Sequence, residues 1–154
     1  MIYRVLMGVA LLILGTTLIC AQEIVAEKGV VVVEGDGTVA LNGSGEVMIE
    51  GDGTLFIVDR TDTATIQIDS TKRLYHKEQQ TRGNTVHIYR RFNGTATIIG
   101  DDIAVVMDGN NIMLSISGTG SMFVHGDGNY AINNDDPQPW SDDGDLITIG
   151  SIEP

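Results

Sequence analysis

The chain has 154 residues, 19 of them glycine, and a formal net charge of −12 at pH 7. This length is sufficient for one domain with a modest hydrophobic core and is too short for two domains that each have a core of their own. The strongly acidic balance disfavours nucleic acid as a partner, because its phosphates would be repelled.

The first residues have the pattern of an export signal. Arg4 precedes a mostly apolar run from Val5 to Cys20, which is followed by the small residue Ala21. This order predicts a signal peptide over residues 1–21 that is cleaved near Ala21. A retained membrane anchor is less favoured, because the apolar run is shorter than the ~20 residues of a spanning helix. Lipidation at Cys20 is also less favoured, because a lipoprotein signal has a small residue where Ile19 stands.

We expect residues 22–154 to form a single exported all-β domain. Cleavage removes Arg4 and Cys20, so eight basic residues face 21 acidic ones and the net charge becomes −13. A domain without cysteine has no disulfides, so sheet hydrogen bonds and burial must hold it together unless oligomerisation or a bound cation helps.

A Gly-x-Gly triplet recurs through the chain, and five-residue segments of alternating character separate consecutive triplets. The triplets begin at Gly35, Gly43, Gly51, Gly118 and Gly126. If each triplet is a three-residue hairpin loop, Val31 faces Leu41 and Val39 faces Ile49. That register places the large aliphatic residues on one face, as a half-buried antiparallel sheet requires.

The remaining pattern is also β. Residues 42–53 align with residues 117–128, which indicates an internal duplication, with chance similarity between two glycine-rich turn pairs as the alternative. Asn93-Gly94 is a strong two-residue hairpin signal, and no stretch beyond the signal segment has helical periodicity. We therefore predict antiparallel meanders of short strands that form a sandwich or flattened barrel, with a parallel β-solenoid as the alternative.

One turn has a family resemblance. The segment from Asn42 to Val47, which reads Asn-Gly-Ser-Gly-Glu-Val, resembles the Gly-x-Gly-acidic-Val motif of secreted adhesins of the head GIN type. The resemblance implies a β-rich protein of the cell surface.

No catalytic signature is present, and we predict that the chain is not an enzyme. His76, His87 and His125 are far apart in sequence and lack the close spacing of a zinc motif, so exposed strand histidines are the favoured interpretation. A nucleophile elbow is missing. Carboxylates for hydrolysis are available only if the fold pairs two of Asp59, Asp62, Asp69 and Glu78.

An acidic segment, residues 133–145, interrupts the strand rhythm. A solvated loop is its favoured interpretation. A Ca²⁺ site is the alternative, with oxygen ligands from Asp135, Asp136, Asp142, Asp143 and Asp145. Trp140 within it is expected to cap the end of the sandwich, or alternatively to offer a stacking platform to a sugar ring.

Six of the nine basic residues lie between positions 72 and 91, and form either a binding face for an acidic polysaccharide or a charged hairpin in solvent. The candidate binding residues are Trp140, Tyr75, Tyr89, Arg90 and Arg91.

The hairpin register also aligns four apolar residues on the face opposite the core, and we expect this ridge either to lie under segment 70–83 or to mediate self-association. It consists of Val32, Ala40, Met48 and Phe56. Asn42 and Asn93 begin N-glycosylation sequons in predicted surface turns.

These observations predict a non-catalytic, secreted or cell-surface structural protein that self-associates through sheet faces or edges. Its partners are then copies of itself or other components of the cell envelope. An extracellular carbohydrate- or surface-binding module of adhesin type is the alternative function.

Overall fold

A computed structural model describes residues 22–26 and 29–150, whose regular secondary structure is entirely β-strand. The all-β fold predicted from the sequence is therefore confirmed. The predicted signal peptide, including Cys20, lies outside the described residues. In the described ranges, no helix is long and apolar enough to cross a membrane.

Residues 22–26 and 29–150 contain seven strands, and two of them are unusually long. In chain order they are β1 (Gln22–Ala26), β2 (Gly29–Asp59), β3 (Thr65–Ser70), β4 (Tyr75–Thr81), β5 (Asn84–Ile132), β6 (Gln138–Pro139) and β7 (Asp145–Ile149). β2 runs for 31 residues and β5 for 49, because neither strand is interrupted at its glycine triplets.

β2 and β5 wind around each other as antiparallel strands. Val31 of β2 pairs with both Ile116 and Ile132 of β5, and Ile116 pairs in turn with both Val31 and Val47. Val31 and Val47 are 16 residues apart, so β2 completes one turn in 16 residues and β5 fills the space between its successive turns. The result is a flattened, double-stranded β-helix.

The winding produces two packed layers. The first layer consists, in spatial order, of segments 75–81, 85–90, 54–59, 103–108, 38–42, 121–125, 145–149 and 22–26. The second layer consists, in spatial order, of segments 65–70, 94–99, 46–50, 112–117, 30–34 and 129–132. Neighbouring segments are antiparallel except for β1, which runs parallel to β7.

The core lies between the two layers. Along each segment every second residue points inward, as the strand period requires. Val39 and Leu41 of the first layer and Val47 and Ile49 of the second are all buried. The structure is thus antiparallel and sandwich-like, as predicted, and it is not closed into a barrel.

The predicted hairpin register is wrong. Val31 does not pair with Leu41, and Asn93-Gly94 is not a hairpin turn, since Gly94 pairs with Gly51 while β5 continues through it. The error has a simple cause. A strand that turns back after eight residues and a strand that continues around a corner point the same side chains inward. The sequence therefore predicts the inward-facing residues correctly, although it predicts the wrong neighbouring strands.

The glycine triplets form the corners at which a strand passes from one layer to the other. There, glycines of β2 pair with glycines of β5, for example Gly43 with Gly120 and Gly45 with Gly118. A Cβ on Gly43 would overlap the carbonyl oxygen of Thr119 and lie 2.8 Å from the Cα of Gly120. Neighbouring corners therefore approach too closely for any side chain.

The middle residue of each β2 triplet satisfies a polar group of the adjacent β5 corner. Asp36 accepts a hydrogen bond from the backbone N–H of Asn111 at 2.6 Å, and Ser44 Oγ accepts one from the N–H of Asp102 at 3.0 Å. Asn111 and Asp102 both have left-handed φ angles, of 50° and 49°. Each is an additional residue, as in a β-bulge, and gives β5 the longer path that it needs on the outside of the corner.

A hairpin between β4 and β5 completes one end of the double-stranded β-helix. Thr81 pairs with Asn84, and the two residues between them, Arg82 and Gly83, have φ angles of 53° and 83°. Two left-handed residues in a two-residue loop fit the twist of the flanking strands. β4 is exposed along its whole length, in agreement with a charged hairpin in solvent.

The corner glycines should be among the least replaceable residues. We expect Gly43→Ala to lower the free energy of unfolding by more than about 2 kcal/mol, because its methyl group meets backbone that has no room to move. Gly83→Ala is the matched control, since a Cβ there has nothing within 4 Å and only the left-handed φ costs about 1 kcal/mol. Urea denaturation measures both values. Equal losses would contradict the corner constraint.

Candidate functional site

The outer surface of the first layer carries a continuous apolar row. Six side chains, each directly opposite the next on the neighbouring strand, form it: Ile88, Phe56, Val106, Ala40, Phe123 and Leu146. All six are partly exposed, because they point away from the core. We call this set the apolar row.

The adjacent line of side chains on the same surface is also uncharged. It consists of Val86, Val58, Ala104, Asn42, Ser121 and Thr148, of which Thr148 is buried. Carboxylates are thus absent from two neighbouring lines of side chains across these six segments, although the chain contains 21 acidic residues. On the third line, Asp108 accepts a hydrogen bond from Thr38 Oγ1 at 3.1 Å.

The four residues of the predicted ridge are divided between two surfaces. Ala40 and Phe56 flank Val106 within the apolar row, whereas Val32 and Met48 flank Ser115 on the outer surface of the second layer. Val32 is 40% exposed and Met48 is 49% exposed. The ridge is not continuous because successive eight-residue segments belong to alternate layers.

A cleft lined with arginine side chains lies at the β4 end of the molecule. Its lining residues are Arg73, Leu74, Tyr75, Arg90 and Arg91. Three of the predicted binding residues therefore meet in one place. In the described part of the chain, no carboxylate forms an ion pair with any of the three guanidinium groups.

The two other predicted binding residues do not contribute to this cleft. Tyr89 is buried, and burial together with the nearby charge of Glu78 raises the pKa of its phenol. Trp140 is only 7% exposed and packs on Gly35 and Gly128 at a corner. Its ring therefore offers no open face to a sugar, and the structure agrees with the capping interpretation.

The acidic segment does not gather its carboxylates. Asp145 is buried and accepts a hydrogen bond from the backbone N–H of Ser141 at 2.8 Å, so it shapes the local turn. Asp135, Asp136, Asp142 and Asp143 are exposed. Within residues 133–145, no three carboxylates come within 4.8 Å of one another, which leaves the predicted Ca²⁺ ligands dispersed.

Two of the three histidines are neighbours in space, contrary to the expectation from their spacing. The β4–β5 hairpin brings His76 and His87 together with Glu78, and these are the described residues whose atoms are arranged to hold a metal ion. His125 lies on segment 121–125, at the other side of the first layer. The signal that sequence reasoning missed is the alternation on both sides of Arg82-Gly83.

One of the carboxylates considered for hydrolysis has a local structural role. Asp59 accepts hydrogen bonds from the backbone N–H groups of Thr61, Asp62 and Ala64 at 3.1, 2.9 and 2.8 Å. Burial alone would raise the pKa of Asp59, but these bonds stabilise the carboxylate and the pKa lies below its ordinary value. Asp59 is therefore a structural anchor of the turn after β2.

The two sequon asparagines already have side-chain partners. Asn42 Oδ1 accepts a hydrogen bond from Arg60 at 2.7 Å. Asn93 Nδ2 donates to Asp52 Oδ2 at 2.7 Å, and Lys72 Nζ lies 3.1 Å from the same oxygen. The bonds from Lys72 and Asn93 lower the pKa of Asp52.

Comparisons with family models, with curated proteins and with solved structures match this chain to none of them.

The anchoring role of Asp59 predicts a pH-dependent stability difference. We expect Asp59→Asn to lower the free energy of unfolding by about 2 kcal/mol at neutral pH, because an amide nitrogen would replace an oxygen that accepts a backbone hydrogen bond. The folded carboxyl has a lowered pKa, so its contribution is present above the ordinary aspartate pKa and is lost as the pH falls through the lowered value.

The gap between wild type and Asp59→Asn should therefore narrow below the ordinary aspartate pKa. Urea denaturation from neutral to acidic pH measures this difference in the free energy of unfolding. Asp69→Asn, at an exposed aspartate, is the control. A gap that stays constant as the pH falls would contradict the assignment.

Proposed function

We propose that this chain is a non-catalytic structural protein, secreted or displayed at the cell surface, that self-associates through the outer surface of its first layer. The observation that carries the proposal is the apolar row. The six side chains of this row are contiguous and partly exposed, and contiguous apolar surface is typical of interaction sites. The occupant that we propose for this surface is a second copy of the chain.

The charge distribution supports a second copy as the partner. Two chains of net charge −12 repel each other wherever their carboxylates face. Across these six segments the apolar row and its neighbouring uncharged line contain no carboxylate, so two copies that meet there bring fewer acidic groups into opposition. On the second layer, by contrast, Glu46 and Glu50 flank Met48 on the same strand face, so like charges would meet there.

The size of the surface sets the expected strength. Six strands spaced about 4.8 Å apart extend about 24 Å, and five-residue segments extend about 17 Å along the strands. Each copy thus offers a flat footprint of roughly 400 Å², smaller than the ~800 Å² per partner of a standard interface. The association should therefore be weak and should depend on protein concentration.

Sedimentation velocity over a range of protein concentrations tests this proposal. We expect the wild-type protein to associate as its concentration rises and Phe56→Asp to remain monomeric, because the new charge lies within the apolar row. Met48→Asp is the matched control on the second layer and should associate like wild type. A wild-type monomer at every concentration, or equal loss in both variants, would overturn the proposal.

A second candidate function is binding to an acidic glycan at a cell surface. It is favoured by the cleft in which Arg73, Arg90 and Arg91 meet Tyr75. Guanidinium groups recognise sulfate and carboxylate through paired hydrogen bonds, and an exposed tyrosine ring stacks on sugars. Tyr75 is 56% exposed and so is available for such contact.

A sulfated polysaccharide immobilised on a biosensor tests the second function. We expect Arg90→Gln to weaken binding about tenfold, since it removes one charge-assisted contact worth about 1.5 kcal/mol. Arg82→Gln is the control, because it removes the same charge at the hairpin tip, about 24 Å along β4 from Tyr75. Equal weakening by both variants would indicate general charge attraction and not recognition by the cleft.

A further inference from the structure

The β4–β5 hairpin places three metal-ligating side chains on one face. His76 and Glu78 are two residues apart on β4 and therefore point to the same side. Glu78 pairs directly with His87 of β5 across the hairpin. The order of the hairpin thus brings two imidazoles and one carboxylate together without any contribution from a distant part of the chain.

The distances between the ligating atoms fit one small ion. His76 Nε2 lies 3.4 Å from His87 Nδ1, and Glu78 Oε2 lies 3.7 Å from that same nitrogen. Ligands held 2.0–2.1 Å from a tetrahedral zinc ion are about 3.3 Å apart. Two of the three separations are therefore close to the edge of a coordination tetrahedron, and all three ligating atoms lie within 4.8 Å of one another.

The surrounding structure holds two of the ligands in place. The ring of His76 stacks on the ring of Tyr89, with centroids 4.4 Å apart and planes inclined by 8°. Tyr89 is buried, so this platform is fixed to the core, and His87 is half-buried beside it. His76 and Glu78 are exposed, which leaves the site open to ions from solvent.

We propose that His76, Glu78 and His87 bind a divalent transition-metal ion of the zinc class, with water completing the coordination. Two imidazole nitrogens favour Zn²⁺, Cu²⁺ or Ni²⁺ over Ca²⁺ and Mg²⁺, which select oxygen ligands. The bound ion links the edge strand β4 to β5 and fastens the end of the helix. This assignment is independent of the self-association proposed above.

Isothermal titration of the full chain with ZnSO₄, in a buffer that does not bind zinc, tests the site. We expect one ion per chain, and we expect His76→Ala to abolish this binding. His125→Ala is the matched control, because it removes another exposed strand histidine and should leave the binding unchanged. Glu78→Gln should weaken the affinity for zinc at least about tenfold. Loss of a group that only hydrogen-bonds to a metal ligand already costs about 10- to 100-fold in metal affinity.

Two further measurements keep the outcome clear. Zn²⁺ should raise the melting temperature of the wild-type protein and of His125→Ala, but not that of His76→Ala or His87→Ala, whose folding is checked by circular dichroism without metal. CaCl₂ in excess should not displace the zinc. Absence of binding by the folded wild type, retention of binding by both His76→Ala and His87→Ala, or displacement by Ca²⁺ would overturn the assignment.

Discussion

The whole architecture depends on the close approach of glycine to glycine at the corners. Where β2 and β5 pass from one layer to the other, neighbouring backbones lie side by side with no space for a Cβ, as at Gly43 and Gly120. Because these corners recur every eight residues, two long strands bend repeatedly without breaking their hydrogen-bonded ladder. The polar residue between the glycines, such as Asp36 or Ser44, then satisfies the corner of the neighbouring strand.

This constraint also decides what the two outer surfaces contain. Because the corners are occupied by contacts between backbones, side chains of different chemistry are placed only at the outward positions of the five-residue segments. The first layer uses these positions for the apolar row. The second layer intersperses exposed apolar residues with serine, threonine and glutamate, and these apolar residues are Val30, Val32, Met48, Ile99 and Met113. The ends of the helix carry the remaining chemistry, which consists of the arginine cleft and the histidine pair at β4 and a buried Trp140 at the opposite end.

Side-chain orientation was predictable from the sequence, but strand neighbours were not. Alternation alone assigns Val31, Val39 and Val47 to the core, and all three are buried. The neighbours depend on pairing between β2 and β5, which no local turn signal encodes, so Val106 between Ala40 and Phe56 was out of reach. His76 and His87 escaped notice for a related reason, because Arg82-Gly83 is a weaker hairpin signal than Asn-Gly although its backbone turns in the same way.

The doubly wound path has a consequence for how the chain reaches this fold. The partners of Val31 are Ile116 and Ile132, so the first segment of β2 has no neighbour to pair with until most of the chain has been synthesised. Such non-local pairing folds slowly. The β4–β5 hairpin is a local pairing at the end where Asp59 of β2 meets Thr85 of β5, so the two long strands can pair progressively from there toward their other ends. Until then the first segments of β2 remain unpaired and strand-forming, and acidic residues along them, such as Glu34 and Asp36, oppose their aggregation during that interval.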